Sequence, residues 1–304
     1  MDERTKLEYF CIAVFCLMED VYMQAPTLRP IRERRHATQG LSDVELLTIV
    51  IVGERQGHRE AKAVYRWVQT TLPGWFPHLP EWSRFLKRWK ALTAVINWLR
   101  CELQRRERVV ADPHGIIDTL PMAVCTLGHA PRTKSFRGLA DWGYCASKDE
   151  HYFGFQFHGL ITLGGDVLDF ELCAASLDEL EGLEDLQESY GHKVILGDLG
   201  YLSRARTTQI EEAQHCRIWT PRRKNQKEQH DPKVQGFLVR LRRRIETVYS
   251  LLTETFLLAH VTARTLWGLA MRIHTKLLAY TVVKCIARHQ GADYLDLSLE
   301  VNFN

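Results

Sequence analysis

No two cysteines in this 304-residue chain are spaced as C-x-x-C, so neither a zinc knuckle nor a dithiol redox motif is present. The eight that occur are Cys11, Cys16, Cys101, Cys125, Cys145, Cys173, Cys216 and Cys285. In a chain of this length without a secretory leader they read as reduced, mostly buried thiols. Long hydrophobic runs are missing as well. Tyr9 to Met18 and Leu277 to Ile286 are apolar, the second interrupted by Lys284, and both fall far short of the ~20 residues a spanning helix needs. The start, Met1-Asp-Glu-Arg-Thr-Lys, is charged and mixed in sign, with no small-residue cleavage site behind it. Internal repeats and low-complexity tracts are also lacking. These absences predict a soluble, cytoplasmic protein with no membrane partner. An excess of one charge is the last thing missing: 40 Lys and Arg stand against 37 Asp and Glu, a net +3. As a sum, that argues against a nucleic-acid partner, but a sum conceals where the charges sit.

What is present suggests two domains, or one large domain with a helical appendage. Residues 1–110 read as all-α. Ser42 followed by Glu45 forms a capping box at the head of one helix. A second helix is predicted from Trp82 to Arg100, with Phe85, Trp89, Leu92, Val95 and Leu99 as its apolar stripe. Arg84, Lys87, Arg88 and Lys90 fill its other side, as a solvated face or as contacts to DNA. The charged segment Arg105 to Gly115, ending in Pro and Gly, marks the boundary. Beyond it Gly115-Ile-Ile-Asp-Thr-Leu reads as a short buried strand. Tyr152 to Leu163 and Val167 to Cys173 flank Gly164-Gly165-Asp166 as a β-hairpin. An acidic helix is predicted over Leu177 to Tyr190, a strand from Lys193 ending at Asp198, a helix over Arg204 to Gln214 and a strand at Arg217-Ile-Trp-Thr. Two long helices follow, Val234 to Leu258 and about Ala263 to Arg288. Strands mixed with helices, one pair being a hairpin, imply an α/β class with a mixed sheet over residues 111–260. Residues 261–304 are expected as a C-terminal helical extension packed on that core.

Asp118 follows Ile116-Ile117, and Asp198 follows Val194-Ile-Leu-Gly. A carboxylate directly after an apolar strand sits at the edge of a dry core and needs a counter-charge. A divalent cation is an efficient one. Mg²⁺ takes one or two carboxylates plus water and phosphate oxygens, and two such ions ~3.5–4 Å apart can clamp an in-line phosphoryl displacement. A third carboxylate is then required, and Glu246 on the long helix is the candidate. Its plainer reading is a surface pair with Arg242 or Arg243, and Asp198 alone could be a turn residue.

The Asp118-Thr-Leu-Pro-Met-Ala-Val-Cys run resembles the first signature of DDE transposases of bacterial insertion sequences. Tyr152-Phe-Gly-Phe-Gln-Phe-His158, Leu196-Gly-Asp-Leu-Gly-Tyr201 and Arg243-Arg-Ile-Glu-Thr-Val-Tyr249 follow in that family's order. The 982 family of insertion sequences is the nearest likeness. Leu41-Ser-Asp-Val-Glu and Arg272-Ile-His-Thr-Lys-Leu-Leu-Ala-Tyr280 also resemble it, so the likeness spans most of the chain. The resemblance implies a ribonuclease H-like catalytic core with Asp118, Asp198 and Glu246 as catalytic and metal-binding residues. It implies two Mg²⁺ ions, for which Mn²⁺ substitutes, and cleavage at the element's ends followed by strand transfer into target DNA. Double-stranded DNA, as terminal inverted repeats and target, would be the partner, with a homodimer in the synaptic complex and an end-binding role for residues 1–110. The localisation it implies is the cytoplasm of a bacterium, at the nucleoid. The 48 positions from Asp198 to Glu246 leave no room for a large β insertion. Leu199 departs from the frequent Lys, and Thr119 replaces a frequent Ser while keeping the hydroxyl. A metal-dependent nuclease without strand transfer, or a non-catalytic DNA-binding descendant, remains as the alternative.

Charge placement reverses what the sum suggests. From Arg217 to Arg244 ten Lys and Arg oppose only Glu228 and Asp231, while Asp166 to Glu188 holds nine acids and no Lys or Arg. The basic block runs into the helix bearing Glu246, where it can neutralise phosphates. Arg222, Arg223, Lys224, Lys227, Arg240, Arg242, Arg243 and Arg244 are its candidate DNA contacts. Trp142, Tyr144, His158, Tyr201 and Tyr249 could touch DNA or simply pack.

Overall fold

The computed structural model describes residues 2–25, 28, 40–145, 149–177, 186, 191, 194–197, 204–222 and 229–291. The chain divides into two compact units, Met1–Glu107 with Leu251–Asn304, and Arg108–Ser250. Among the described residues no helix is long and apolar enough to cross a membrane.

The first unit is helical: α1 (Glu3–Gln24), α2 (Asp43–Arg55), α3 (Ala61–Thr71), α4 (Trp82–Ala91), α5 (Thr93–Arg106) and α8 (Leu266–His289). The capping box is formed, with Ser42 Oγ accepting from Glu45 N–H and the Glu45 carboxylate accepting from Ser42 N–H. The single helix predicted from Trp82 is broken at Leu92, where the Thr93 hydroxyl donates to the Lys90 carbonyl at 2.8 Å. Helix α8 is buried almost without interruption from Leu269 to Ala287. A helix apolar all round needs cover on every side, and α2, α4 and α5 supply it. Residues 266–289 therefore belong to the helical unit. Three charges are buried with that helix. Glu54 accepts from Arg272 at 2.9 Å and from Lys276 at 2.6 Å, and the two cations also donate to the carbonyls of His58 and Phe256.

The second unit is built on a mixed sheet of β1 (His114–Ala123), β2 (Asp141–Cys145), β3 (Glu150–Thr162), β4 (Val167–Ala174), β5 (Val194–Leu196) and β6 (Arg217–Trp219). β3 is antiparallel to β1 on one edge. On its other edge β2 covers Glu150 to Gly154 and β4 covers Phe155 to Ile161. β5 runs parallel to β1, and β6 parallel to β5. This is the α/β, ribonuclease H-like class with an all-α region before it and a helix after it. The β3–β4 hairpin turns where expected: Gly165 takes φ +80°, which a side chain would resist. Successive strand residues point to opposite faces. Ile117, Leu160 and Ile195 pack against Ile210 of α6 (Arg204–Ala213) on one face. Ile116 and Asp118 point to the other, which meets α7 (Pro232–Glu254) through Leu238, Leu241 and Ile245.

Candidate active site

Asp118 lies in the middle of β1, half-buried and opposite Gly159 of β3. Its Oδ1 accepts the Thr119 N–H at 2.8 Å, and its main-chain carbonyl accepts the Tyr249 hydroxyl at 2.6 Å. That second bond tethers α7 to β1 at the position of the carboxylate. Gly159 makes room for it, since a Cβ there would stand 2.7 Å from the Tyr249 oxygen. Burial first, and then the Asp118 charge, raise the tyrosine pKa well above its ordinary value, so the hydroxyl stays a donor. Glu246 is exposed on the same helix, three residues before Tyr249. Three residues advance a helix by ~4.5 Å, so Glu246 sits within one turn of the tether. Arg244 fixes α7 a second time by donating to the Leu163 carbonyl in the hairpin.

A small cleft, of about 20 Å³, opens beside Asp118, walled by Ile116, Leu196, Trp219, Leu241 and Ile245. Its walls are apolar, so the field of the carboxylate is little screened there. Gly197 also lines it, with its N–H donating to the Trp219 carbonyl at 3.0 Å. Asp198, the next residue, lies outside the described residues, as do Tyr201, Arg223, Lys224, Lys227 and the side chain of Arg242. Among the described residues no three His, Cys, Asp or Glu side chains gather as a metal group. Asp118 and Glu246 are hard oxygen donors, the type Mg²⁺ accepts.

The remaining candidates divide by burial. Arg240 and Arg243 are exposed along α7, and Arg222 is partly buried, with its main chain clasped by Gln235 in both directions (3.1 and 2.9 Å). In the helical unit Arg84 and Lys87 are exposed and Lys90 is partly so. Arg88 turns inward instead, donating to Asp43 at 2.7 Å and to the Leu41 carbonyl at 2.5 Å, which commits it to structure. His158 is fully buried, and its ring nitrogens have no hydrogen-bond partner among the described residues. Burial pushes its pKa down to about 4. A side chain without exposed surface does not reach DNA in this conformation, and Tyr249 is nearly as closed at 7% exposure. Trp142 and Tyr144 are exposed on β2, a segment whose sequence reads as a connection. Trp142 pairs with Phe153, six residues along β3 from Gly159, or ~20 Å from Asp118. It packs edge-on against Phe153, and Tyr144 donates to Asp149 at 2.5 Å.

Two residues of the site hold roles that the sequence did not announce. Tyr249 is a tether, and Trp219 is a cleft wall. For Trp219 the signal was available, because with Ile218 in the core, alternation turns Arg217 and Trp219 outward together.

No curated protein and no solved structure matches the chain. A family model does, the one described as Transposase DDE domain, over residues 111–266. That span begins just before β1, ends as α8 begins and covers about half of the chain, and by that match the chain belongs to the DDE transposase family.

Proposed function

We propose that this protein is the transposase of an insertion sequence, akin to the 982 family, acting on the terminal inverted repeats of its own element. Asp118, Asp198 and Glu246 are the residues that would hold two divalent cations, Mg²⁺ or Mn²⁺. When bound, the cations supply an activated water and then an activated DNA 3′-hydroxyl for in-line displacement at phosphorus. The chain's own part is positional. β1 presents Asp118 at the mouth of the apolar cleft, and the Tyr249 bond holds the Glu246 turn of α7 against that strand. Asp198 follows Leu196 by two positions, as Asp118 follows Ile116, and Leu196 and Ile116 are paired in parallel register. The exposed Arg240 and Arg243 would neutralise phosphates beside the cleft. Joining two ends calls for two copies in the synaptic complex.

The observation that carries this reading is the tether inside the matched domain, which joins the first and last signature segments at one point. Purified protein, duplexes carrying the repeats that flank the gene, and Mg²⁺ test it. Asp118→Asn and Asp198→Asn are expected to lose cleavage and strand transfer by several orders of magnitude while retaining end binding. Undiminished cleavage by either variant overturns the triad, and cleavage without strand transfer by the native protein leaves a nuclease.

A further inference from the structure

We propose that the outward face of α1 is a self-association seam, on which a second copy of this chain docks its own α1 in antiparallel register. Helix α1 is apolar on two sides. Phe10, Val14, Met18 and Val21 are buried and serve the core of the helical unit. On the opposite side Tyr9 and Ile12 are each 50% exposed, Met23 is 45% exposed, and Cys16 is exposed as well. Apolar residues scattered over a surface need no explanation, but these are in a row. Positions 9, 12, 16, 19 and 23 advance by alternate steps of three and four, the spacing of a coiled-coil seam. Thr5 extends the row one step towards the N-terminus, and Glu19 is its one charge. Such a row is shaped to accept another helix.

The row is complementary to itself, which identifies the occupant. Laid antiparallel, Ile12 meets Cys16 of the second copy, and the two-fold axis repeats that layer. Tyr9 then lies opposite Glu19, where the phenol donates to the carboxylate and answers the charge in the seam. Thr5 falls opposite Met23. Along the flank Lys6 comes beside Asp20, a pair of opposite sign at each end of the contact. Lys6 and Asp20 already meet Glu3 at 3.1 Å and Arg106 at 2.6 Å in their own chain, so the new pair sets direction more than strength. Parallel helices would instead set Glu19 against its own copy, and like charges across an interface repel. Two helices of 22 residues bury less than a standard interface, so association in the micromolar range is expected. The inference rests on the transposase reading for its purpose, since two ends call for two copies, but α1 lies outside the matched residues 111–266.

Sedimentation equilibrium of the full-length protein without DNA or metal, up to about 100 µM, reads the association. A monomer–dimer equilibrium is expected. Ile12→Asp should weaken it on the order of a hundredfold, because each copy then brings an unpaired charge to the centre of the seam. Far-UV circular dichroism should not change, since the position is exposed. A native chain that stays monomeric throughout, or an Ile12→Asp variant that associates as well as the native chain, overturns the seam. Direction is read by mild oxidation and non-reducing electrophoresis. Antiparallel docking sets position 12 opposite Cys16, so Ile12→Cys should give a covalent dimer. The native chain, and Ile12→Cys combined with Cys16→Ser, should not. A dimer of either linked through position 12 or 16, as located by peptide mass spectrometry, joins like positions and overturns the antiparallel register. Cleavage of the terminal repeats is measured in parallel. Association without metal-dependent cleavage removes the enzyme reading alone, and cleavage by a chain that is monomeric without DNA removes the seam alone.

Discussion

The two units treat charge in opposite ways. In the helical unit several charged groups answer one another. Glu54 joins Arg272 and Lys276 in the interior, Arg88 meets Asp43, and Arg106 reaches both Glu102 and Asp20. Burial lowers the Lys276 pKa to about 8, with the Glu54 charge partly offsetting the fall. In the sheet unit Arg240 and Arg243 lie exposed on α7 with no carboxylate partner among the described residues. The basic side chains of the two units look alike in the sequence. The presence of an internal partner separates those that hold the fold from those available to a polyanion.

The largest test of that contrast removes the centre of the buried cluster. Glu54→Gln leaves Arg272 and Lys276 buried without their shared carboxylate, and breaking a buried pair in this way costs about 3–5 kcal/mol. Urea unfolding followed by far-UV circular dichroism should show the loss. Adding Lys276→Met, which removes one stranded cation, should recover part of it. A change below about 1 kcal/mol would mean that the cluster contributes little to holding α8 in place.

The converse test acts on α7. Arg240→Gln with Arg243→Gln should leave unfolding within about 0.5 kcal/mol of the native chain, as exposed sites do. DNA affinity should fall for all sequences alike. The slope of log affinity against log salt should drop by about 0.9 for each phosphate no longer neutralised. An unchanged slope would return both residues to the solvated face that their spacing also allows.

Much of this was legible before the fold. Asp118 at the end of an apolar run, the Gly165 turn and the capping box at Ser42 each have a local cause, and local causes survive in sequence. β2 was missed because its residues are exposed or half-exposed throughout, so an edge strand with no buried face leaves no alternation to read. The break at Leu92 carries neither Gly nor Pro. The apolar stripe of α8 showed that it must be covered, but a stripe does not name its cover. Asp198 was legible as a carboxylate after an apolar strand and as a motif position, and it lies outside the described residues. The Tyr249 tether could not be read at all. It depends on an empty space at Gly159, 90 positions earlier, and on the register that sets Gly159 opposite Asp118.

The smallest test compares one buried hydrogen bond from each unit. In the sheet unit Tyr249 donates to the Asp118 carbonyl at 2.6 Å, and in the helical unit Trp89 Nε1 donates to Thr275 Oγ1 at 3.0 Å. Tyr249→Phe and Thr275→Val each remove one partner with little change of shape, and each should cost roughly 1–3 kcal/mol of stability. Their effects on cleavage should diverge. Without its tether the Glu246 turn of α7 is free to shift against β1, and a misplacement near 1 Å can slow chemistry by about a hundredfold. Single-turnover rates on the terminal repeats should therefore fall for Tyr249→Phe with DNA affinity unchanged, while Thr275→Val keeps both. Equal rates for the two variants would make the tyrosine a packing residue like the threonine. Cleavage geometry would then have to be fixed by another contact, with Arg244 and its bond to the hairpin carbonyl of Leu163 the next to remove.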